Sequence, residues 1–185
     1  MSTLTRRLGA LAGIGAPASF ITGWVAGGLR AKDYDPLRDA ISQLARVGAP
    51  TRPLMTAGFL GFSALAPFWA RTLSASLGQP RVRTAIGTAT VGTLAVAALP
   101  LGASYGDGPH AAAAGVSYLA MVATPMVGAP GLEGNARRAS YAVSGVAAIA
   151  LVASLTGRYD GGFQRLGLTS VDAWYIAMAV RELRR

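Results

Sequence analysis

Cysteine is absent from the 185 residues, which excludes a disulfide scaffold, a thiolate nucleophile and any sulfur-ligated zinc site. Histidine occurs once, so a multi-histidine metal centre is excluded too. Charge is scarce: charged residues make up 14% of the chain, against about 25% in an ordinary soluble domain. That shortage argues against a water-soluble globule. There is no phosphate-cradling Gly loop, nucleophile elbow or haem ligand pair, and neither a metal nor a cofactor is expected. What the chain has instead is 52% apolar residues, 24 Gly and a mean hydropathy of +0.41. Its 17 Lys+Arg against 8 Asp+Glu give a net charge of +9. In a soluble protein that excess would point to nucleic acid. Here the basic residues lie between apolar stretches, so membrane topology accounts for them and no nucleic-acid partner is expected.

A hydrocarbon layer of roughly 30 Å takes about 20 helical residues to cross. Six apolar runs are read as spans: 8–29, 53–73, 84–105, 110–129, 139–156 and 163–180. The predicted fold is all-α, a polytopic transmembrane bundle of six helices forming one integral membrane domain over 1–185. Lys and Arg at the span ends predict that both termini are cytoplasmic. Arg6, Arg7, Arg71, Arg81, Arg83, Arg137, Arg138, Arg181, Arg184 and Arg185 then lie inside, and most outer cations fall in one long loop. Arg6, Arg7 and Ala16-Pro17-Ala18 resemble a signal peptide. The apolar run continues to Leu29, however, which favours a retained span.

Small residues mark the spans. Gly9 and Gly13, then Gly23 and Gly27, form small-xxx-small pairs that let helix backbones approach closely, within the bundle or in a homo-oligomer or larger membrane complex. Pro17, Pro67, Pro100 and Pro125 are expected to bend their spans.

The long loop after the first span carries explicit helix signals. Asp35 suits an N-cap, Pro36 the first helical position, and Gly48 the stop before Pro50. Leu37, Ile41 and Leu44 recur on one side, with Arg38, Ser42, Gln43 and Arg46 elsewhere. This predicts a short amphipathic interfacial helix in the first outer loop, or a lid over the mouth of the bundle.

The segment from Tyr34 to Leu44, followed by Gly48-Ala49-Pro50 and a span opening at Leu54-Met55-Thr56-Ala57-Gly58-Phe59, resembles the bacterial domain of unknown function 998 family. His110 opening the fourth span and Phe163-Gln164-Arg165-Leu166 opening the last extend the likeness over nearly the whole chain. The resemblance implies a polytopic protein of the bacterial cell membrane and brings no reaction with it.

The candidate chemistry is concentrated on the outer face. Loops one, three and five can bring together Asp35, Asp39, Asp107, His110, Asp160, Gln164 and Arg165, a set able to do acid–base work or grip a polar head group together with Tyr34, Arg38 and Gln43. Asp172 stands apart. It lies about nine residues, roughly 13 Å, below the mouth of the last span, and ionisable groups at such depth are functional candidates. Asp172, His110, Asp39 and Asp35 are the expected catalytic groups. Trp24, Tyr118, Trp174 and Tyr175 are aromatics able to steady a developing cation in a substrate. Three functions follow: a small membrane enzyme of cyclase or isomerase type acting on a lipid or isoprenoid-like, hydrophobic substrate; a non-catalytic membrane subunit or lipid-binding scaffold; and a small transporter, for which the halves lack the expected internal repeat.

Overall fold

The structure is a computed structural model and describes residues 1–185. Six α-helices follow one another: α1 (Thr3–Arg30), α2 (Arg52–Leu77), α3 (Pro80–Ala98), α4 (Gly108–Gly128), α5 (Gly134–Ala153) and α6 (Asp160–Leu183). Two 3-10 turns, Ile41–Ala45 and Ala129–Gly131, complete the regular structure. Chemistry sets several ends: Pro80 and Pro109 stand in first turns that need no donor, and Gly78 stops α2 in the left-handed conformation at φ 62°. Each helix packs on the next, and α6 returns to α1, which closes an up-and-down ring. Both termini lie at the end where α2 turns into α3: Thr72 donates to Met1 Sδ, and Ser76 meets Glu182 and Arg185. A core of 28 buried residues draws on all six helices and on Ile41, Leu44 and Ala45 of the first 3-10 turn.

The protein is a helical membrane protein, but the expectation of six spans is corrected. Three segments are long and apolar enough to cross a membrane: Thr3–Arg30, Arg52–Leu77 and Gly108–Gly131. The other three helices are diluted by small and polar residues: Thr, Gly and two Arg in α3, Arg137 and Arg138 in α5, and Gln164, Arg165 and Asp172 in α6. The third run also ends early. Gly102 and Gly106, both at positive φ, turn the chain after Ala98, and Pro100 lies beyond the helix rather than inside it.

The expected amphipathic helix of the long loop is also corrected. Asp35 does begin a turn, its Oδ1 accepting from Leu37 N at 2.9 Å and its carbonyl from Arg38 and Asp39. Ala40 is extended, however, and only Ile41–Ala45 is helical, as a 3-10 turn. Leu37 is 58% exposed, while Ile41 and Leu44 are 2% and 1% exposed. The cause is competition for the loop's backbone groups. Arg38 and Leu37 carbonyls accept from Gly161 and Gly162 N, Arg165 takes those of Pro36 and Asp39, and Ile41 N donates to Gln164 Oε1. A continuous helix would need the same groups. Docking on α6 wins because the first turn of any helix has unpartnered N–H groups to offer. The segment is therefore the lid of the earlier alternative.

All four glycines of the small-residue pairs are buried in α1. A Cβ on Gly9 would fall 1.8 Å from Thr72 Oγ1, one on Gly13 within 2.5 Å of the Trp69 ring, and one on Gly23 within 3.1 Å of Gly58 Cα. Here α1 and α2 touch backbone to backbone. Gly23→Val should splay this crossing and cost about 1–3 kcal/mol, seen as a lower melting temperature in detergent. Gly115→Ala, where nothing lies within 4 Å, should leave that temperature unchanged or raise it.

Candidate functional site: the lid clasp and the buried polar groups

The first two turns of α6 hold the lid. Gly161 is buried against it so closely that a Cβ would fall 2.2 Å from Asp39 O. Gln164 bridges two elements, its Oε1 accepting from Ile41 N at 2.7 Å and its Nε2 donating to the Tyr118 hydroxyl on α4. Arg165 does more. Its Nη1 donates to Pro36 O, Gly161 O and Asp39 O at 2.6, 2.9 and 3.1 Å, and its Nη2 to the Tyr34 hydroxyl. Its guanidinium also lies over the rings of Trp24 and Tyr34, 5.2 and 5.3 Å from their centroids. Carbonyl dipoles and aromatic faces thus hold this cation, and no carboxylate pairs with it. Burial pushes the Tyr34 hydroxyl above the ordinary tyrosine value, with Arg165 opposing. The protonated hydroxyl is what donates to the Asp39 and Ala40 carbonyls, each at 3.3 Å.

The expected outer-face cluster is divided among three corners. Asp39 accepts from Asp35 N at 2.7 Å, Asp107 from Gly102 N at 2.6 Å and Asp160 from Gly157 N at 2.8 Å, so each carboxylate closes a local turn. His110 Nδ1 donates to Leu99 O at 2.8 Å across the α3–α4 turn, and its Nε2 is buried without a partner. Arg38 is exposed and stands 3.6 Å from Asp35. Gln43 bonds Arg46 and shares a shallow groove at the lid end with Tyr34, Asp39, Arg30 and Lys32. The structure brings together Tyr34, Trp24, Tyr118, Gln164, Arg165 and the Asp39 backbone, and it keeps Asp107 and His110 apart from them.

Beneath the lid lies a chamber of about 30 Å³, lined by Phe20, Phe59, Phe62, Val96, Met121 and Leu168, with Ile41 and Ser42 of the lid, Tyr118 and the Thr93–Ser117 pair completing it. That is room for a water or two, or for the tip of a chain. Thr93 and Ser117 bond each other at 3.0 Å, and Ser117 donates on to Ala89 O. Their hydroxyls are therefore largely satisfied within the protein.

Asp172 is fully buried, 0% exposed, and neither carboxyl oxygen has a hydrogen-bond partner. It follows the chamber-lining Leu168 by one helical turn, about 6 Å. None of the four principal cavities is lined by Asp172 or His110. The expected aromatic set is dispersed as well: Trp24 already faces Arg165, Trp174 Nε1 donates to Ser140 Oγ at 2.8 Å, and Tyr175 bonds Thr124 at 3.4 Å. Sequence reasoning missed a second buried carboxyl. Glu182, 2% exposed, accepts from Ser76 Oγ at 2.6 Å and pairs with Arg185 at 2.8 Å. Its only signal in the chain is that cation three residues on.

The family model described as protein of unknown function (DUF998) matches residues 14–181, and the chain belongs to that family. No curated protein and no solved structure matches it.

Arg165→Lys loses the planar stack and at least two of the carbonyl bonds. At about 2 kcal/mol it should raise the rate of tryptic cleavage at Arg38 and Arg46 by tens-fold with helix content unchanged, whereas wild-type rates would show that something else holds the lid. Asp172 is a different case, because an unpartnered buried carboxyl gives the fold nothing. Asp172→Asn should leave the melting temperature equal or higher. A fall of several degrees would reveal a structural partner.

Proposed function

We propose that the protein is a non-catalytic, lipid-binding membrane scaffold. Its chamber accepts the end of an acyl or isoprenoid chain beneath a lid that Gln164 and Arg165 hold in place. The observation that carries this reading is the chamber itself: mainly aromatic and aliphatic walls contributed by five of its helices, roofed by the lid, with the Thr93, Ser117 and Tyr118 hydroxyls bonded to protein partners. A site of this kind recognises apolar bulk and offers little to a polar group. The carboxylates of Asp39, Asp107 and Asp160 each accept a backbone N–H of their own turn, which supports the scaffold reading over acid–base work by these three groups. The orientation that fits the reading places both termini in the cytoplasm, where the ten Arg of that end satisfy the positive-inside rule. The lid then faces outward.

A second reading keeps Asp172 as an acid–base group for an enzyme of cyclase or isomerase type. It is favoured by one fact: both oxygens are free, one turn below Leu168. Two experiments separate the readings. In nanodiscs, a fatty acid carrying a terminal diazirine should label Phe59, Phe62 or Met121 of the wild type. Val96→Phe, which fills the chamber with a ring, should cut that labelling at least fivefold. Labelling confined to lipid-exposed Leu60, Phe68 and Ile149 would overturn the scaffold reading. An isoprenoid alcohol recovered chemically altered from the wild type but intact from Asp172→Asn would establish the second.

A further inference from the structure

At the end that carries both termini, α1 and the last turns of α2 enclose a groove of about 660 Å³ that reaches Arg83 on α3. Gly9 makes it possible: with no Cβ there, α1 lies directly against Thr72 and the Phe68 carbonyl, and the side chains on either side stand clear. Two kinds of wall meet in it. Leu8 and Phe68, 57% and 62% exposed, are apolar and belong to segments able to cross a membrane. Arg71 and Arg83 are exposed cations with neither an ion pair nor a hydrogen bond, and Ser74 adds an unbonded hydroxyl. No Asp or Glu lines the groove, and Glu182, the buried acid at this end, is engaged with Ser76 and Arg185.

Two guanidiniums without counter-ions, set beside exposed apolar residues at the end of two candidate spans, suit an anion that brings its own hydrocarbon. Basic pockets between helices at a membrane surface hold phospholipid head groups in this way. We propose that this groove binds the phosphate of an anionic membrane phospholipid, with Arg71 and Arg83 on the phosphate, Ser74 donating to it and an acyl chain lying along Leu8 and Phe68. The site is at the opposite end of the bundle from the chamber and does not depend on what the chamber binds.

Native mass spectrometry of the full chain, released from bilayers containing equal phosphatidylglycerol and phosphatidylcholine, tests the assignment. The wild type should retain phosphatidylglycerol at least tenfold over phosphatidylcholine. The double variant Arg71→Ser, Arg83→Ser should lose about thirtyfold in that retention, as expected for two cations at a membrane surface, and Arg71→Lys with Arg83→Lys should recover most of it. The pair Arg138→Ser, Arg184→Ser removes the same charge from exposed positions outside the groove and should change retention less than twofold. Equal retention of the two lipids by the wild type, or an equal loss in the control pair, would overturn the site. So would displacement of the lipid by millimolar inorganic phosphate, which would make this a site for a soluble anion, or protection of the groove by a second copy of the chain.

Discussion

The arrangement at the lid end of the bundle depends on one exchange of backbone hydrogen bonds. A helix begins with N–H groups that have no partner within it, and α6 begins with two glycines that let another backbone come close. The lid supplies carbonyls to those donors and gives up its own helix in doing so. Arg165 then gathers further carbonyls that this leaves over, and Gln164 takes the Ile41 N–H. Because the exchange satisfies groups on both partners, the lid's main chain can be laid over an apolar interior, and among the buried clasp side chains Arg165 Nε and Trp24 Nε1 are left without partners. The chamber below has its roof for that reason.

Close backbone contact is the second organising device. In a membrane, helices gain little from hiding oil, since lipid is equally oily, and association rests on contact area and interhelical bonds. The α1–α2 crossing at Gly23 and Gly58, and the seat of Gly13 on the Trp69 ring, give that area directly. Buried hydroxyls supply the bonds: Ser144 donates to Val122 O between α5 and α4, and Ser117 to Ala89 O between α4 and α3. Small and hydroxylated residues that pack and bond so well also dilute the apolar runs of α3 and α5, to which the Arg pairs near the start of each helix add.

Much of this was legible in the chain, and the omissions have physical causes. Six helices could be read from six apolar runs, and the buried glycines from their spacing. Fewer of those helices are long and apolar enough to cross a membrane than there are runs, because α3 is rich in small residues rather than large aliphatics, α5 carries Arg137 and Arg138, and α6 carries Arg165 and Asp172. The lid's helix signals at Asp35 and Pro36 were real but local. They could not reveal that Gly161 and Gly162, more than a hundred residues away, would claim the carbonyls on which a helix depends. The acids of loops one, three and five suggest a site because those loops emerge at one end of the bundle. A carboxylate's nearest donors are usually the N–H groups of its own turn, however, and Asp39, Asp107 and Asp160 each found one. Asp172 was visible as an oddity in an apolar run. That both its oxygens lack partners is a fact of packing that no spacing encodes.

The clasp also orders events in time. Gln164 and Arg165 meet lid residues 123 to 129 positions earlier in the chain. During synthesis the lid therefore leaves the ribosome long before its fastener exists, and contacts at such separation form late. Until the final helix is in place, the lid's carbonyls and the walls beneath them stand open to whatever the nascent chain meets. Closing the lid end is thus the last step in building the bundle, and a chain truncated before residue 160 would lack the groups that close it.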